Sequence, residues 1–90
     1  EGHIAVCRHE IAVTMEEIIN IASKKLKVGG RFCMCQRVER LTDALSLMRA
    51  NKIEPSKLQF VVSGQNPKPY LVEGVKCVTR QLVVLENIYN

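Results

Sequence analysis

The strongest structural signal in this chain is the segment TMEEIINIASKKLKVGGRFCMCQ, residues 14–36. Its first residues match a capping box, in which Thr14 accepts a hydrogen bond from the backbone three residues on and Glu17 reaches back. Apolar residues then recur at helical spacing up to the glycine pair at 29–30, where a glycine can take the left-handed conformation that ends a helix. The pattern predicts a helix over 15–27.

The sequence around this segment continues the alternation of helices and strands. Residues 31–36 form a short apolar run with the length of a buried strand, and helical periodicity returns over 39–50. Leu58, Phe60 and Val62 recur at every second position, as in a strand with one buried face. These elements predict a helix–strand–helix–strand order.

Two more strands are predicted near the end of the chain, at 70–76 and 83–89, after a loop over 64–69 rich in proline and glycine. Gly74 is typical of a β-bulge. Because no helix separates the last strands, the order indicates an α/β fold with a mostly parallel sheet whose last strands are antiparallel.

Size and composition restrict the class of protein. Ninety residues allow one small domain, and 47% hydrophobic residues exclude a disordered tail. With 24% charged residues and no long apolar run, no membrane span is expected, and the first residues do not read as a signal peptide. The expected location is cytoplasmic. A net charge of +4 permits an acidic partner such as RNA.

The four cysteines are predicted to be buried, reduced thiols. Cys33 and Cys35 lie two residues apart in a predicted strand, so their side chains share a face and do not converge on an ion. Neither a disulfide nor a metal site is therefore expected.

The sequence contains the segments RHEI (8–11), KVGGRF (27–32), QRVERL (36–41) and VEGVK (72–76). Together with the helix predicted over 15–27, these four segments resemble the bacterial family of adenine-specific tRNA methyltransferases. The resemblance spans nearly the whole chain, and QRVERL followed by VEGVK is its most specific part. The sequence departs from the family at Val38, where members usually carry proline.

This resemblance implies a doubly wound, Rossmann-like fold that uses S-adenosylmethionine (SAM) to methylate the exocyclic amine of an adenine in tRNA. Family members have a glycine-rich loop after the first strand and Asn-Pro-Pro-Tyr after the fourth, and this sequence contains neither. Residues 1–90 are therefore expected to be the C-terminal half of a methyltransferase domain. By the same resemblance, the N-terminal half binds most of the cofactor, and this chain alone contributes no catalytic or cofactor-binding residue and is inactive.

The candidate substrate residues follow the strand at 31–36. In doubly wound sheets, ligands gather at the carboxyl ends of the parallel strands, so Gln36, Arg37 and Arg40 would border the substrate site. Alternatively, the two arginines pair with Glu39 or Asp43 on an exposed helix start.

Arg8 and His9 are further candidates. By resemblance they follow the catalytic loop and would contact the flipped base or its phosphate, although an anchoring role for the loop is an alternative. His9 and Glu10 are adjacent, so they do not define a catalytic dyad, and methyl transfer requires no metal.

A second function class stays open, namely a small non-enzymatic α/β module that binds RNA or a partner protein through its basic surface. Under the methyltransferase interpretation the partners are tRNA and the missing N-terminal half. If the strand at 31–36 is central in the larger sheet, one of its edges is unpaired in this chain, and such an edge promotes self-association.

Overall fold

The computed structural model describes residues 2–7, 14–62, 69–79 and 81–89. Within these residues it contains two α-helices, one short 3₁₀ helix and six strands. In chain order they are β1 His3–Cys7, α1 Met15–Lys25, β2 Arg31–Arg37, the 3₁₀ helix Val38–Arg40, α2 Leu41–Ala50, β3 Ile53–Val62, β4 Pro69–Lys76, β5 Val83–Val84 and β6 Ile88–Tyr89.

The sheet has the strand order β1-β2-β4-β3-β5, and β6 also pairs with β3. β1 is parallel to β2, and β5 and β6 are parallel to β3. β4 is antiparallel to both β2 and β3 and lies between them. Five described strands thus run in one direction and one runs against them, which confirms the predicted α/β, mostly parallel sheet.

Both helices cover the same face of this sheet. Phe32 and Met34 of β2 and Val72 of β4 point to that face, and α1 and α2 supply the other half of the core. The buried cluster comprises Met15, Ile19, Ala22, Leu26, Phe32, Met34, Ala44, Met48, Ile53, Leu58, Tyr70 and Val72. Burial of each larger side chain contributes about 1.5–3 kcal/mol, so this layer is the main source of stability.

The predicted capping box at the start of α1 is confirmed. The backbone N–H of Glu17 donates to the Thr14 hydroxyl at 3.1 Å, and the Thr14 N–H donates to the Glu17 carboxylate at 3.0 Å. This backbone hydrogen bond, followed by the one from the Thr14 side chain, lowers the pKa of Glu17. The acid therefore favours its charged form at the helix N-terminus, where negative charge is stabilised.

The end of α1 differs from the prediction. The helix stops at Lys25, and Leu26 is already extended with φ −78° and ψ 136°. Gly29, at φ +84°, forms a turn in which the Gly30 N–H donates to the Lys27 carbonyl at 2.9 Å. The glycine pair thus serves a β-turn into β2 and does not cap the helix, because the chain must reverse direction there.

Other predicted boundaries also shift. The helix predicted over 39–50 is a 3₁₀ helix followed by α2, and the strand predicted from Leu58 begins at Ile53. Lys52, at φ +64°, makes the reversal between α2 and β3 that the sequence does not mark with glycine. The strand predicted over 83–89 is two short strands that run parallel to β3. The prediction that the last strands are antiparallel is therefore right for β4 and wrong for β5 and β6.

β1 was not predicted, and it changes the edge of the sheet. β2 pairs with β1 on one side and with β4 on the other, so the expectation that one edge of 31–36 lacks a partner is wrong. On this side of the sheet formed by the described residues, the edge strand is β1 instead. Self-association through that edge stays a prediction.

A polar network joins both helices to the end of β4. Asn20 donates to the Asn51 side chain at 3.1 Å, and the Ser23 hydroxyl donates to the Asn51 carbonyl at 2.6 Å. The Lys76 ammonium donates to the Ser23 carbonyl and, at 3.0 Å, to its hydroxyl. A cation there satisfies carbonyls at the helix C-terminus.

In the described part of the chain, no helix is long and apolar enough to cross a membrane.

The predicted irregularity at Gly74 is confirmed as a β-bulge. Pro55 pairs with Gly74 and Lys57 with Glu73, so Ser56 is the extra residue and the bulge lies in β3, opposite the glycine. The Ser56 hydroxyl donates to the Glu73 carbonyl at 3.1 Å. The bulge lies opposite Gly74, where an added Cβ would meet Met48 of α2.

Alanine at Gly74 tests this close packing. Its Cβ would lie 2.5 Å from both Ile53 Cγ2 and Met48 Cε, and 3.1 Å from the Glu54 carbonyl. We expect Gly74→Ala to lower the free energy of unfolding by about 1–3 kcal/mol in urea denaturation, because core atoms and strand must move apart. The control is Gly2→Ala, whose nearest atom would be 3.5 Å away. Equal stability of the two variants would contradict the packing described.

Candidate functional site

The candidate site lies where the parallel strands β1 and β2 end. Cys7, the last residue of β1, pairs with Cys35 of β2, so both strands finish at the same edge of the sheet. In α/β folds, ligands bind outside the carboxyl ends of parallel strands. Arg8 and His9 lie outside the described residues, and their predicted roles stay predictions.

Gln36 is the most deeply buried polar candidate at this edge. It is 2% exposed and lies on the helix-covered face with Phe32 and Met34. Its register partner in β4 is Tyr70. The Gln36 Nε2 has no hydrogen-bond partner among the described residues. A buried amide without a partner costs about 1–3 kcal/mol, so this donor requires a polar partner that the described residues do not supply.

Arg37 and Gln36 point to opposite sides of the sheet, because successive strand residues alternate. Arg37 is exposed and forms no ion pair with another described residue. A solvated guanidinium beyond the end of a parallel strand can pair with a phosphate. The structure thus brings Gln36 and Arg37 to one end of β2 without joining them on one surface.

Arg40 lies on neither of these surfaces. Its Nε is 3.9 Å from Asp43 Oδ2, which agrees with the predicted alternative of an ion pair at a helix start. It borders a cleft of about 310 Å³ between the first turns of α1 and α2, and Glu16 and Asp43 line the same cleft. Two carboxylates make this cleft less suited to a phosphate than the surroundings of Arg37.

The face of the sheet away from the helices has a groove of about 330 Å³ that crosses β1, β2, β4 and β3. Five residues define this open face: Ala5, Cys33, Cys35, Leu71 and Leu85. Cys33 and Cys35 share it, as predicted from their spacing. They are only half-buried, and Cys77 is exposed, so the expectation that the thiols are buried is wrong for Cys77 and only partly right for the other two.

A polar cluster borders the open face. It consists of His3, Cys33, Lys57 and Glu73. The Cys33 thiol donates to Glu73 Oε2 at 3.5 Å and lies 3.6 Å from His3 Nε2, while Lys57 Nζ is 3.9 Å from the other Glu73 oxygen. Burial, and then the Glu73 carboxylate, raise the pKa of Cys33 to about 11. A thiol that stays protonated at neutral pH is a poor nucleophile.

Sequence reasoning missed the contribution of His3 to this polar cluster because it did not predict β1. Ile4 and Val6 alternate with His3 and Ala5, and that period-two pattern is the signal from which the strand could have been found. Glu73 is 40 residues from Cys33 and meets it only across β2 and β4. Among the described residues, no group of three or more His, Cys, Asp or Glu side chains is placed to hold a metal ion.

Comparison with solved structures identifies the fold. The chain is similar to a predicted O-methyltransferase, protein Atu636 from Agrobacterium tumefaciens, with a TM-score of 0.75 and 15% identity over 98% of this chain and 42% of that one. It is also similar to M1.HpyAVI in complex with SAM, with a TM-score of 0.68 and 8% identity over 98% of this chain and 56% of that one. A second crystal structure of M1.HpyAVI matches with the same TM-score and identity over 99% of this chain and 56% of that one. No protein-family model and no curated protein sequence matches.

The chain therefore has an α/β fold similar to that of these methyltransferase structures. It spans about half the length of these similar structures, from 42% to 56%. At 8–15% identity, the likeness concerns the fold.

The raised pKa of Cys33 predicts its reactivity. In a chain whose other cysteines are serine, we expect alkylation of Cys33 by iodoacetamide to increase with pH until about pH 11, because the thiolate is the reacting form. Glu73→Gln should move this profile to lower pH by removing a negative charge. Lys57→Gln is the opposite control and should move it to higher pH, because Lys57 lowers the pKa of Cys33. Identical profiles for all three chains would contradict the described cluster.

The same group predicts how stability depends on pH. The unfolded thiol loses its proton near pH 9.0, whereas the folded one holds it until about pH 11. The contribution of Cys33 to the free energy of unfolding is therefore fully present below pH 9.0 and is lost as the pH rises toward about 11. Urea denaturation should show a smaller loss over this range for Cys33→Ser, and an equal loss would exclude Cys33 as its source.

Proposed function

We propose that this chain is part of a SAM-dependent methyltransferase that methylates the exocyclic amine of an adenine in tRNA. The observation that carries the proposal is the match of nearly the whole chain to methyltransferase-like structures, one of them a complex with SAM. The proposed location is cytoplasmic.

The adenine and tRNA parts of the proposal are supported by the four sequence segments of the resemblance. QRVERL spans the end of β2 and the start of α2, where the candidate site lies, and VEGVK forms most of β4. Two of the four segments thus lie in β4, in the middle of the sheet, and at the carboxyl end of β2, where we propose the substrate site.

The described residues do not by themselves form a SAM site. A glycine-rich turn leading into a helix N-terminus would be expected for such a cofactor. The N-terminus of α1 is already capped by Thr14 and carries Glu16 and Glu17, and α2 begins beside the Arg40–Asp43 pair. We therefore assign the cofactor mainly to the complementary half of the domain, and no reaction step is assigned to this chain.

Two residues of this chain are proposed to contact the substrate. Gln36 can donate its amide hydrogens to, and accept from, the polar edge of an adenine extruded from the RNA. Arg37 can pair with a backbone phosphate on the outer side of the same strand end. Together they would hold a nucleotide by its base and by its phosphate. This role would position the substrate and would not be part of the methyl-transfer step itself.

The second candidate function is a non-enzymatic module that binds RNA or a protein. The net charge of +4 and the exposed Arg37 favour it equally. The discriminating observation is the reading frame: a frame that continues upstream through a glycine-rich loop and Asn-Pro-Pro-Tyr supports the enzyme, and one that begins near residue 1 supports the module.

Calorimetry with SAM tests the proposed enzyme. We expect no measurable binding by residues 1–90 and micromolar binding by the chain extended upstream in its reading frame, because the glycine-rich turn and helix N-terminus would lie in that extension. Equal binding by both chains would place the cofactor site in this half. Binding by neither would count against the methyltransferase proposal.

Salt-dependent tRNA binding tests the arginines. In the extended chain, alanine at both Arg37 and Arg40 should weaken binding and reduce the slope of log K against log salt by about 1–2, as expected for one or two lost phosphate contacts. The single Arg37→Ala should account for most of the loss, because Arg40 pairs with Asp43. Arg49→Ala, which removes a guanidinium paired with Glu54 at 3.4 Å near the far end of α2, is the control. Affinity unchanged at every salt concentration would remove both arginines from the site.

A further inference from the structure

Positive charge is concentrated at the end of the sheet opposite the candidate site. β1, β2 and β3 begin at this end, and β4 and both helices finish there. The basic residues at these chain reversals are Lys24, Lys25, Lys27, Arg31, Arg49, Lys52 and Lys76. At the other end, the helix starts carry Glu16, Glu17, Glu39 and Asp43 beside Arg37 and Arg40. The charge of the described residues is thus polarised along the strands.

Backbone hydrogen bonds hold this end of the sheet together. The Gly29 N–H donates to the Lys76 carbonyl at 2.9 Å, and the Cys77 N–H donates to the Lys52 carbonyl at 2.8 Å. Arg31 begins β2 and Lys52 directly precedes β3, with β4 between these two strands. At the usual spacing of neighbouring strands, their backbones are about 10 Å apart. Residues distant in sequence therefore form one surface.

Part of this positive charge is stabilised within the chain. Lys24 and Arg49 lie in the last turns of α1 and α2, where the helix dipole favours cations. Arg49 also pairs with Glu54 at 3.4 Å, and the Lys76 ammonium donates to Ser23. These residues do not by themselves indicate a ligand.

Three cations at this end lack such partners, and they are called here the basic end: Lys27, Arg31 and Lys52. All three are exposed, lie outside the helices and form no ion pair with another described residue. Lys27 lies beside the start of β1, since its Cε would be 3.5 Å from a Cβ added at Gly2. Like charges held together repel one another, and an anionic ligand relieves that repulsion.

The surroundings of the basic end suit phosphates better than a protein. Protein interfaces depend on apolar and aromatic anchors and are poor in lysine, whereas Val28, 72% exposed, is an isolated apolar side chain among these cations. Phe32, the aromatic residue next to Arg31, is fully buried. The described residues of the basic end thus offer no exposed ring on which a single-stranded base could stack. A duplex needs no such ring, because its bases are already stacked and its phosphates face outward.

We propose that the basic end binds the phosphate backbone of a double-helical RNA stem. It lies about 20 Å from Arg37, the length of the seven-residue strand β2, so it contacts a part of the RNA other than the target nucleotide. Phosphate contacts of this kind fix the orientation of an RNA without reading its sequence. Only the identity of that RNA as tRNA rests on the proposed function.

Salt-dependent binding of a labelled RNA hairpin to residues 1–90 measures these contacts. Lys27→Gln, Arg31→Gln and Lys52→Gln combined should weaken binding about tenfold or more at low salt and reduce the slope of log K against log salt by about 2–3. Lys52→Gln alone should reduce the slope by about 1. Its matched control is Lys57→Gln, which removes a lysine paired with Glu73 in the middle of the sheet and should leave the slope nearly unchanged.

Lysine acetylation maps the same surface without any substitution. The reaction is followed by peptide mass spectrometry with and without the hairpin. We expect the hairpin to slow acetylation of Lys27 and Lys52 several-fold and to leave Lys57 unchanged, because an amine in contact with a phosphate is shielded from the reagent. This measurement still tests the proposal if the triple variant fails to fold.

Several outcomes would overturn the proposal. Unchanged hairpin binding by the triple variant, equal effects of Lys52→Gln and Lys57→Gln, or no slowing of acetylation at Lys27 and Lys52 would each exclude the basic end. Tighter binding of single-stranded polyuridylate, with the same lysines protected, would exclude a duplex as the preferred ligand. Protection by phosphatidylserine vesicles or by polyglutamate, but not by the hairpin, would assign the surface to a membrane or to an acidic protein.

Failure of the proposed function is distinguishable from failure of this inference. Protection of Lys27 and Lys52 by the hairpin, without SAM binding by the upstream-extended chain, retains the RNA surface and rejects the enzyme. SAM binding by the extended chain, with no protection of these lysines, does the reverse.

Discussion

The position of β4 is the constraint on which the rest of the fold depends. The chain passes from β2 through α2 to β3 and leaves room for one strand between them, and β4 fills that room in the opposite direction. A strand in this place must form backbone hydrogen bonds with both neighbours and still allow α2 to approach, which Gly74 permits. Its last residue, Lys76, then joins the end of α1 through Ser23. β4 thus contacts both helices and joins the two halves of the sheet.

How much the sequence predicted depends on how local each signal was. The capping box of Thr14 and Glu17 involves neighbouring residues, and it was predicted correctly. β1 is short and its position depends on pairing with β2, so its weak alternation was not recognised. The glycine pair was predicted to end α1, but it forms a β-turn. A helix end and a β-turn both use a left-handed glycine, so the local sequence does not distinguish them. Similarly, nothing local marks Lys52 as the reversal before β3.

The candidate site was predictable in position but not in geometry. The order of elements places Gln36 and Arg37 at the carboxyl end of β2, and strand alternation then separates a buried amide from an exposed guanidinium. Under the proposed function, this separation of a buried amide from an exposed guanidinium suits a nucleotide, because its base and its phosphate differ in how strongly they are hydrated. The contact of Cys33 with Glu73 has no such local origin, since it depends on the register of two strands far apart in sequence.

The central place of β4 has a consequence for synthesis on the ribosome. The helices consist of neighbouring residues and can form as they emerge, but the middle strand β4 is encoded after both of its neighbours, β2 and β3. Until residue 76 has been made, the facing edges of β2 and β3 have no strand between them, and such edges bind other chains. During synthesis, the nascent protein therefore exposes the facing edges of β2 and β3, which later lie in the middle of the sheet and until then are the edges most prone to bind other chains. Anything that slows translation just before β4 would prolong that period.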